Sequence, residues 1–109
     1  MNESKDNIIV KKSYSFALEI ITIYKYLVSE KKEFVLSKQL LRSGTSVGAN
    51  IHEAIASESK KDFIHKLGIS VKEARETSYW LNLLKDSNYI SEEQFNSLNR
   101  NTSDLYLNN

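Results

Sequence analysis

Apolar residues along this chain recur at alternating spacings of three and four, which puts them on one side of an α-helix, and they do so in four separate stretches. In the first stretch Phe16, Ile20, Ile23 and Leu27 make one line, and Leu18, Ile21 and Val28 make a second. Only a narrow stripe of Glu19, Thr22, Tyr26 and Ser29 stays polar. The pattern predicts a helix over about 10–30 whose wide apolar arc touches more than one neighbour. A charged link, Glu30-Lys31-Lys32-Glu33, follows. Ser37 is then the expected N-cap of a second helix over about 37–57.

Leu40, Gly44, Val47, Ile51 and Ala54 form the core stripe of that second helix. Gln39, Ser43, Ser46, Asn50 and Glu53 form a polar and mostly small line beside it. A glycine inside a helix costs about 1 kcal/mol relative to alanine, so Gly44 and Gly48, one turn apart, mark either a close approach by another helix or a loop. Ser59-Lys60-Lys61-Asp62 reads as a capping box with Asp in the Glu position, starting a third helix over about 60–86. Its core stripe is Phe63, Leu67, Val71, Ala74, Ser78 and Leu81. Ser91-Glu92-Glu93-Gln94 is a regular capping box, with Ile90 and Phe95 placed as a hydrophobic staple, and it opens a fourth helix over about 91–107. That helix buries Phe95, Leu98, Thr102 and Leu105. No stretch alternates with period two. The expected fold is therefore all-α, an antiparallel up-down-up-down four-helix bundle in one domain spanning residues 1–109.

Composition sharpens this picture. The 109 residues include no proline, which leaves the helices uninterrupted, and no cysteine, which excludes a disulfide scaffold, a thiolate metal site and a cysteine nucleophile. The net charge is +1, so no strong overall field draws the chain to nucleic acid. Charge is nevertheless uneven. Residues 38–85 carry eight Lys and Arg against five acids, and residues 86–109 carry one against four. The amino terminus lacks the basic-then-apolar order of a signal peptide, and residues 16–28 include Glu19 and Lys25 and are too short to span a bilayer. A cytoplasmic protein with no membrane partner is expected.

Four constellations bear on chemistry. Ile69, Glu73, Glu76, Trp80 and Leu83 follow one line of the third helix, and the hairpin geometry sets Arg42 near Glu73 or Glu76. A buried or half-buried Arg–Glu pair that fixes helix register is the leading reading, and a paired-carboxylate acid–base site is the other. Asp62 and His65 have the spacing of a carboxylate–histidine metal pair, with His52, Glu53, Glu73 and Glu76 as further donors. The set falls short of the Glu and Glu-x-x-His pattern of di-iron bundles, so no metal and no cofactor are expected. Lys61, His65, Lys72 and Arg75 share one side of the third helix, where Gly68 completes the spacing and Lys60, Lys66 and Lys38 flank it. That side is a solvated face or a surface for nucleic acid or an acidic partner. Finally, Tyr14, Tyr24, Tyr26, Tyr79, Trp80 and Tyr89 exceed what one small core must hold, which points to a contact between copies of the chain. Catalytic motifs such as the P-loop, G-x-S-x-G and H-E-x-x-H are absent from the sequence.

Two runs carry a family resemblance. Residues 39–54, QLLRSGTSVGANIHEA, are similar to a pattern QLxRSxxSVxxNIxEA, and residues 72–84, KEARETSYWLNLL, are similar to its partner KEAxETxYWLxLL. Both resemble the bacterial four-helix-bundle proteins encoded within intervening sequences of large-subunit ribosomal RNA genes, often labelled S23 ribosomal protein. The resemblance implies an antiparallel four-helix bundle that assembles into a ring, commonly a homopentamer, and by motif it assigns the polar seam to Arg42, Asn50, Glu53, Glu73 and Glu76. A related branch, the accessory protein of diversity-generating retroelements, is a strongly basic pentamer that binds nucleic acid. This chain departs from that branch in being nearly neutral, and His52 stands where many of its relatives carry Glu. The combined expectation is a non-enzymatic homo-oligomer acting as an interaction or scaffold protein. It would contact RNA or a nucleoprotein partner through Lys60, Lys61, His65, Lys72 and Arg75. The alternative is a metal-dependent or acid–base enzyme using the seam carboxylates.

Overall fold

The structure, a computed structural model, describes residues 5–107. Four helices follow one another: α1 (Lys5–Ser29), α2 (Leu36–Ala56), α3 (Lys60–Asp86) and α4 (Glu92–Leu107). Helix α1 begins well before the expected residue 10. Neither glycine nor proline interrupts its first turns, and Ile9 and Val10 already pack against the core. Three of the four apolar stripes supply the core as expected, those of α1, α2 and α4: Phe16, Ile20, Ile23 and Leu27; Leu40, Val47, Ile51 and Ala54; and Phe95, Leu98, Thr102 and Leu105 are buried. Helix α3 differs. Val71 is exposed, and the buried line runs through Ser70, Ala74, Thr77, Leu81 and Leu84. Two hydroxyl residues thus sit where an apolar stripe was expected, and α2 supplies a partner for each: the Val47 carbonyl for Ser70 and the Ser43 hydroxyl for Thr77.

Packing joins α1 to α2 and α4, and α3 to α2 and α4, so α1 and α3 occupy opposite corners of the bundle. Contacts fix the directions. Gly44 and Gly48 of α2 face Ile20 and Ser13 of α1, so rising numbers on one helix meet falling numbers on the other. The same reversal holds from Arg42–Glu76 to Glu53–Lys66 across α2 and α3, and from Ser78–Asn99 to Lys85–Phe95 across α3 and α4. The molecule is a rod of 44 × 21 × 19 Å.

The helix ends follow the sequence at two sites and depart from it at a third. Ser59 Oγ accepts the Asp62 N–H at 3.1 Å. At α4, the Gln94 N–H donates to Ser91 Oγ at 3.0 Å while the Ser91 N–H donates to Gln94 Oε1 at 2.8 Å, a complete capping box over the buried staple of Ile90 and Phe95. Ser37 does not cap α2. The cap position is Val35, and the buried carboxylate of Glu33 accepts the N–H groups of Val35, Leu36 and Ser37 at 3.2, 2.9 and 2.7 Å. A carboxylate at the positive end of a helix does the work of three water molecules, while the Ser37 hydroxyl donates back to the Glu33 carbonyl at 2.8 Å. Among the described residues, no helix is long and apolar enough to cross a membrane.

Candidate functional site

The polar seam lies between α2 and α3. Arg42 reaches both expected carboxylates: Nη1 donates to Glu73 at 3.3 Å and Nη2 donates to Glu76. Glu76 also accepts from Trp80 Nε1 at 3.0 Å, one turn further along α3. The Arg42 guanidinium holds the Glu76 carboxyl below its ordinary range, with the indole N–H adding to the effect, and the two carboxylates hold Arg42 further above its own. The cluster is not buried. The Arg42 side chain is 49% exposed and that of Glu73 20%, so the cluster lies at the mouth of the α2–α3 groove. Long side chains on the flank of a close-packed helix pair reach outward because the space between the helices is already filled.

What fills it is a row of hydroxyls that the apolar pattern did not reveal. Thr77 Oγ1 meets Ser43 Oγ at 2.9 Å, and Ser70 Oγ donates to the Val47 carbonyl at 2.8 Å. Ser43, Ser70 and Thr77 are fully buried. The available signal was the small polar line beside the α2 stripe, of which Ser43 is a member. The remaining seam residues do not join the cluster. Asn50 donates to the Ser46 carbonyl of its own helix at 2.9 Å. Glu53 pairs with Lys66 at 2.7 Å on an exposed flank, where Lys66 draws the Glu53 carboxyl below its ordinary range.

The outer face of α3 carries the second set. Lys60, Lys61, His65, Lys72 and Arg75 are all exposed, and none makes an ion pair or side-chain hydrogen bond within the described residues. Between them stand Ile64, Val71 and Tyr79, also exposed, and Gly68, where an added Cβ would meet nothing within 4 Å. Lys66, expected to flank this stripe, is instead drawn toward Glu53. The face is thus a mixed basic and apolar surface about 21 Å long between Lys61 and Arg75, taking 1.5 Å per helical residue.

The potential metal donors are scattered. His65 is exposed on the outer face of α3, Glu73 and Glu76 are occupied by Arg42, and Glu53 by Lys66. Among the described residues, no group of three or more His, Asp or Glu is gathered around one point. A shallow groove between α1 and α2, lined by Tyr14, Ala17, Thr45, Gly48 and Ala49, has His52 and Glu53 at one end. The aliphatic hydroxyls that line it, those of Ser13 and Thr45, bond the Val10 and Leu41 carbonyls of their own helices.

Comparison with known proteins agrees with this architecture. Residues 5–106 match the family of 23S rRNA-intervening sequence proteins. A crystal structure at 1.70 Å resolution, of a protein with unknown function from the S23 ribosomal protein family of Bacteroides thetaiotaomicron VPI-5482, is 54% identical. The similarity covers 94% of this chain and 91% of that one, with a TM-score of 0.92. Among curated proteins, none matches. The chain belongs to the 23S rRNA-intervening sequence protein family.

Proposed function

We propose that this member of the 23S rRNA-intervening sequence family is a non-enzymatic scaffold, a homo-oligomer and by family resemblance a pentamer, that meets RNA or a nucleoprotein through the outer face of α3. One observation carries this reading. Lys60, Lys61, Lys72 and Arg75 stand unpaired on a face that also exposes Ile64, Val71 and Tyr79, whereas Lys66 and Lys85 of the same helix are each engaged by an acid. Phosphate contacts by Lys and Arg give sequence-independent affinity that weakens with salt, and a near-neutral chain needs several copies of such a face to hold RNA well. The role is one of assembly and presentation.

The test is a pair of measurements. Sedimentation of the purified protein gives its mass, and a labelled RNA titrated at low and moderate salt gives its binding. The expected result is an oligomer whose RNA affinity falls with salt and is lost on charge reversal of Lys60, Lys61 and Lys72. A monomer, or no binding at low salt, would overturn the reading. The enzyme alternative rests on Glu53, Glu73 and Glu76, each neutralised or shared by a neighbouring cation. Stoichiometric iron or zinc in the purified protein would favour it instead.

A further inference from the structure

Large apolar side chains exposed on the helix bodies are confined, among the described residues, to α1 and α3: Ile8, Tyr14 and Leu18 on one, and Ile64, Val71, Tyr79 and Leu83 on the other. Of these Tyr79 has its ring braced by a neighbouring aromatic side chain. It is 57% exposed, and its ring is held edge-on to Trp80 with 5.0 Å between centroids. One turn earlier on the same helix, Arg75 projects without a partner.

The groove between α1 and α4 offers the complementary surface. Two adjoining depressions there share Glu19. One has Ile23 and Leu98 in its floor and Glu93 on its rim, and the other reaches Asp104, with Lys11 and Lys12 at its far end. Heights along the rod agree as well. Ser78 bonds Asn99 and Lys85 lies over Phe95, which sets Tyr79 about level with residues 98–101 and Arg75 with residues 102–105. Glu19 accepts from Asn101 at 2.6 Å and therefore shares the level of Tyr79. In a closed ring whose rods stand along its axis every copy points the same way, and these levels then carry over from one copy to the next.

We infer that Tyr79 of one copy seats in the α1–α4 groove of the next, over Ile23 and Leu98, with Arg75 beside Asp104 and Glu19. This rests on the homo-oligomer reading and names its contact. The two surfaces differ, so the contact is head-to-tail, and its repetition builds a ring where the rotation between copies closes, not a two-fold dimer. Arg75 meets Glu19 and Asp104 on a rim whose far end carries Lys11 and Lys12, and an exposed aromatic ring covers an apolar floor, as at the centre of stable interfaces. Arg75 then leaves the RNA-facing set, and Lys60, Lys61, His65 and Lys72 remain open.

Sedimentation of the full chain and three variants tests this, with circular dichroism confirming unchanged helix content. Arg75→Asp and Tyr79→Ala should each lose the oligomer mass at concentrations where the wild type is assembled. Arg75→Asp combined with Asp104→Arg should regain it. If the wild type is assembled and both single variants keep its mass, this interface is wrong while the oligomer reading stands. Loss of mass in Arg75→Asp with no recovery in the charge swap would also overturn the pairing. A wild-type monomer would overturn both.

Discussion

Helix α2 packs against α1 on one side and against α3 on the other, and the two contacts are built from different materials. Toward α1 the fit is steric. A Cβ at Gly44 would lie 2.7–2.9 Å from three side-chain carbons of Ile20, itself fully buried. Toward α3 the fit is chemical: buried hydroxyls meet each other and the Val47 carbonyl, and Arg42 closes the groove over two carboxylates. The steric side is intolerant of added volume and indifferent to polarity. The chemical side sets register, because a one-turn slip would part Thr77 from Ser43, Ser70 from the Val47 carbonyl and Arg42 from both carboxylates.

The largest effect is expected from Gly44→Leu, which has no room beside Ile20 and should lower the free energy of unfolding by about 3 kcal/mol in a urea titration. A loss below about 1 kcal/mol would show that α1 and α2 can separate freely, and the contrast between the two sides would collapse. On the other side, Thr77→Val keeps the shape and removes the hydroxyl that meets Ser43, and should cost about 1–2 kcal/mol. An unchanged midpoint would mean that the hydroxyl row carries no register. Gly68→Ala is the control for both, since nothing lies near an added Cβ there, and it should raise stability by about 1 kcal/mol. A thermal melt that moves downward would point to a constraint on α3 that the isolated chain does not contain.

The smallest effect belongs to Arg42. Its pairs are half exposed, so Arg42→Leu should cost about 0.5–1 kcal/mol, and no change in stability or assembly would remove the structural role assigned to the cluster. Acid sharpens this prediction. The carboxyl of Glu76 is held below its ordinary value of 4.5, so it binds a proton less readily folded than unfolded. Its contribution is present above that value and is lost as pH falls through the lowered one. Melting temperature between pH 3 and 7 should therefore fall on the acid side of about 4.5, and less steeply in Arg42→Leu.

How far the sequence could be read follows the same division. Every apolar core position of α4, the capping box at Ser91, the Ser59 cap and the glycine pair on α2 were visible, because each is a local pattern with a local cause. The partners of Arg42 were visible too, since hairpin geometry fixes which residues face each other. Ser70 and Thr77 were missed in favour of Val71. The apolar pattern takes polarity as exposure, and it cannot see that a neighbouring helix offers a buried hydroxyl a partner. Glu33 was read as part of a charged link, although an acid just ahead of a helix is a recognisable signal. Its side chain serves backbone groups up to four positions ahead, which the Ser37 expectation overlooked. The seam was placed inside the bundle and lies at its edge, because periodicity gives direction around a helix and says nothing about depth.

The Glu33 arrangement has a consequence for how whole chains meet. The Glu33 N–H donates to the Leu27 carbonyl at 2.9 Å while its carboxylate holds the start of α2, and Lys32 between them adopts a left-handed φ of 54°. Exchange of α1 between two copies would require this bend to straighten into one continuous helix. Straightening would detach the carboxylate from the three amide groups it holds and break the bond to Leu27. The hairpin is therefore latched against exchange of α1 between copies.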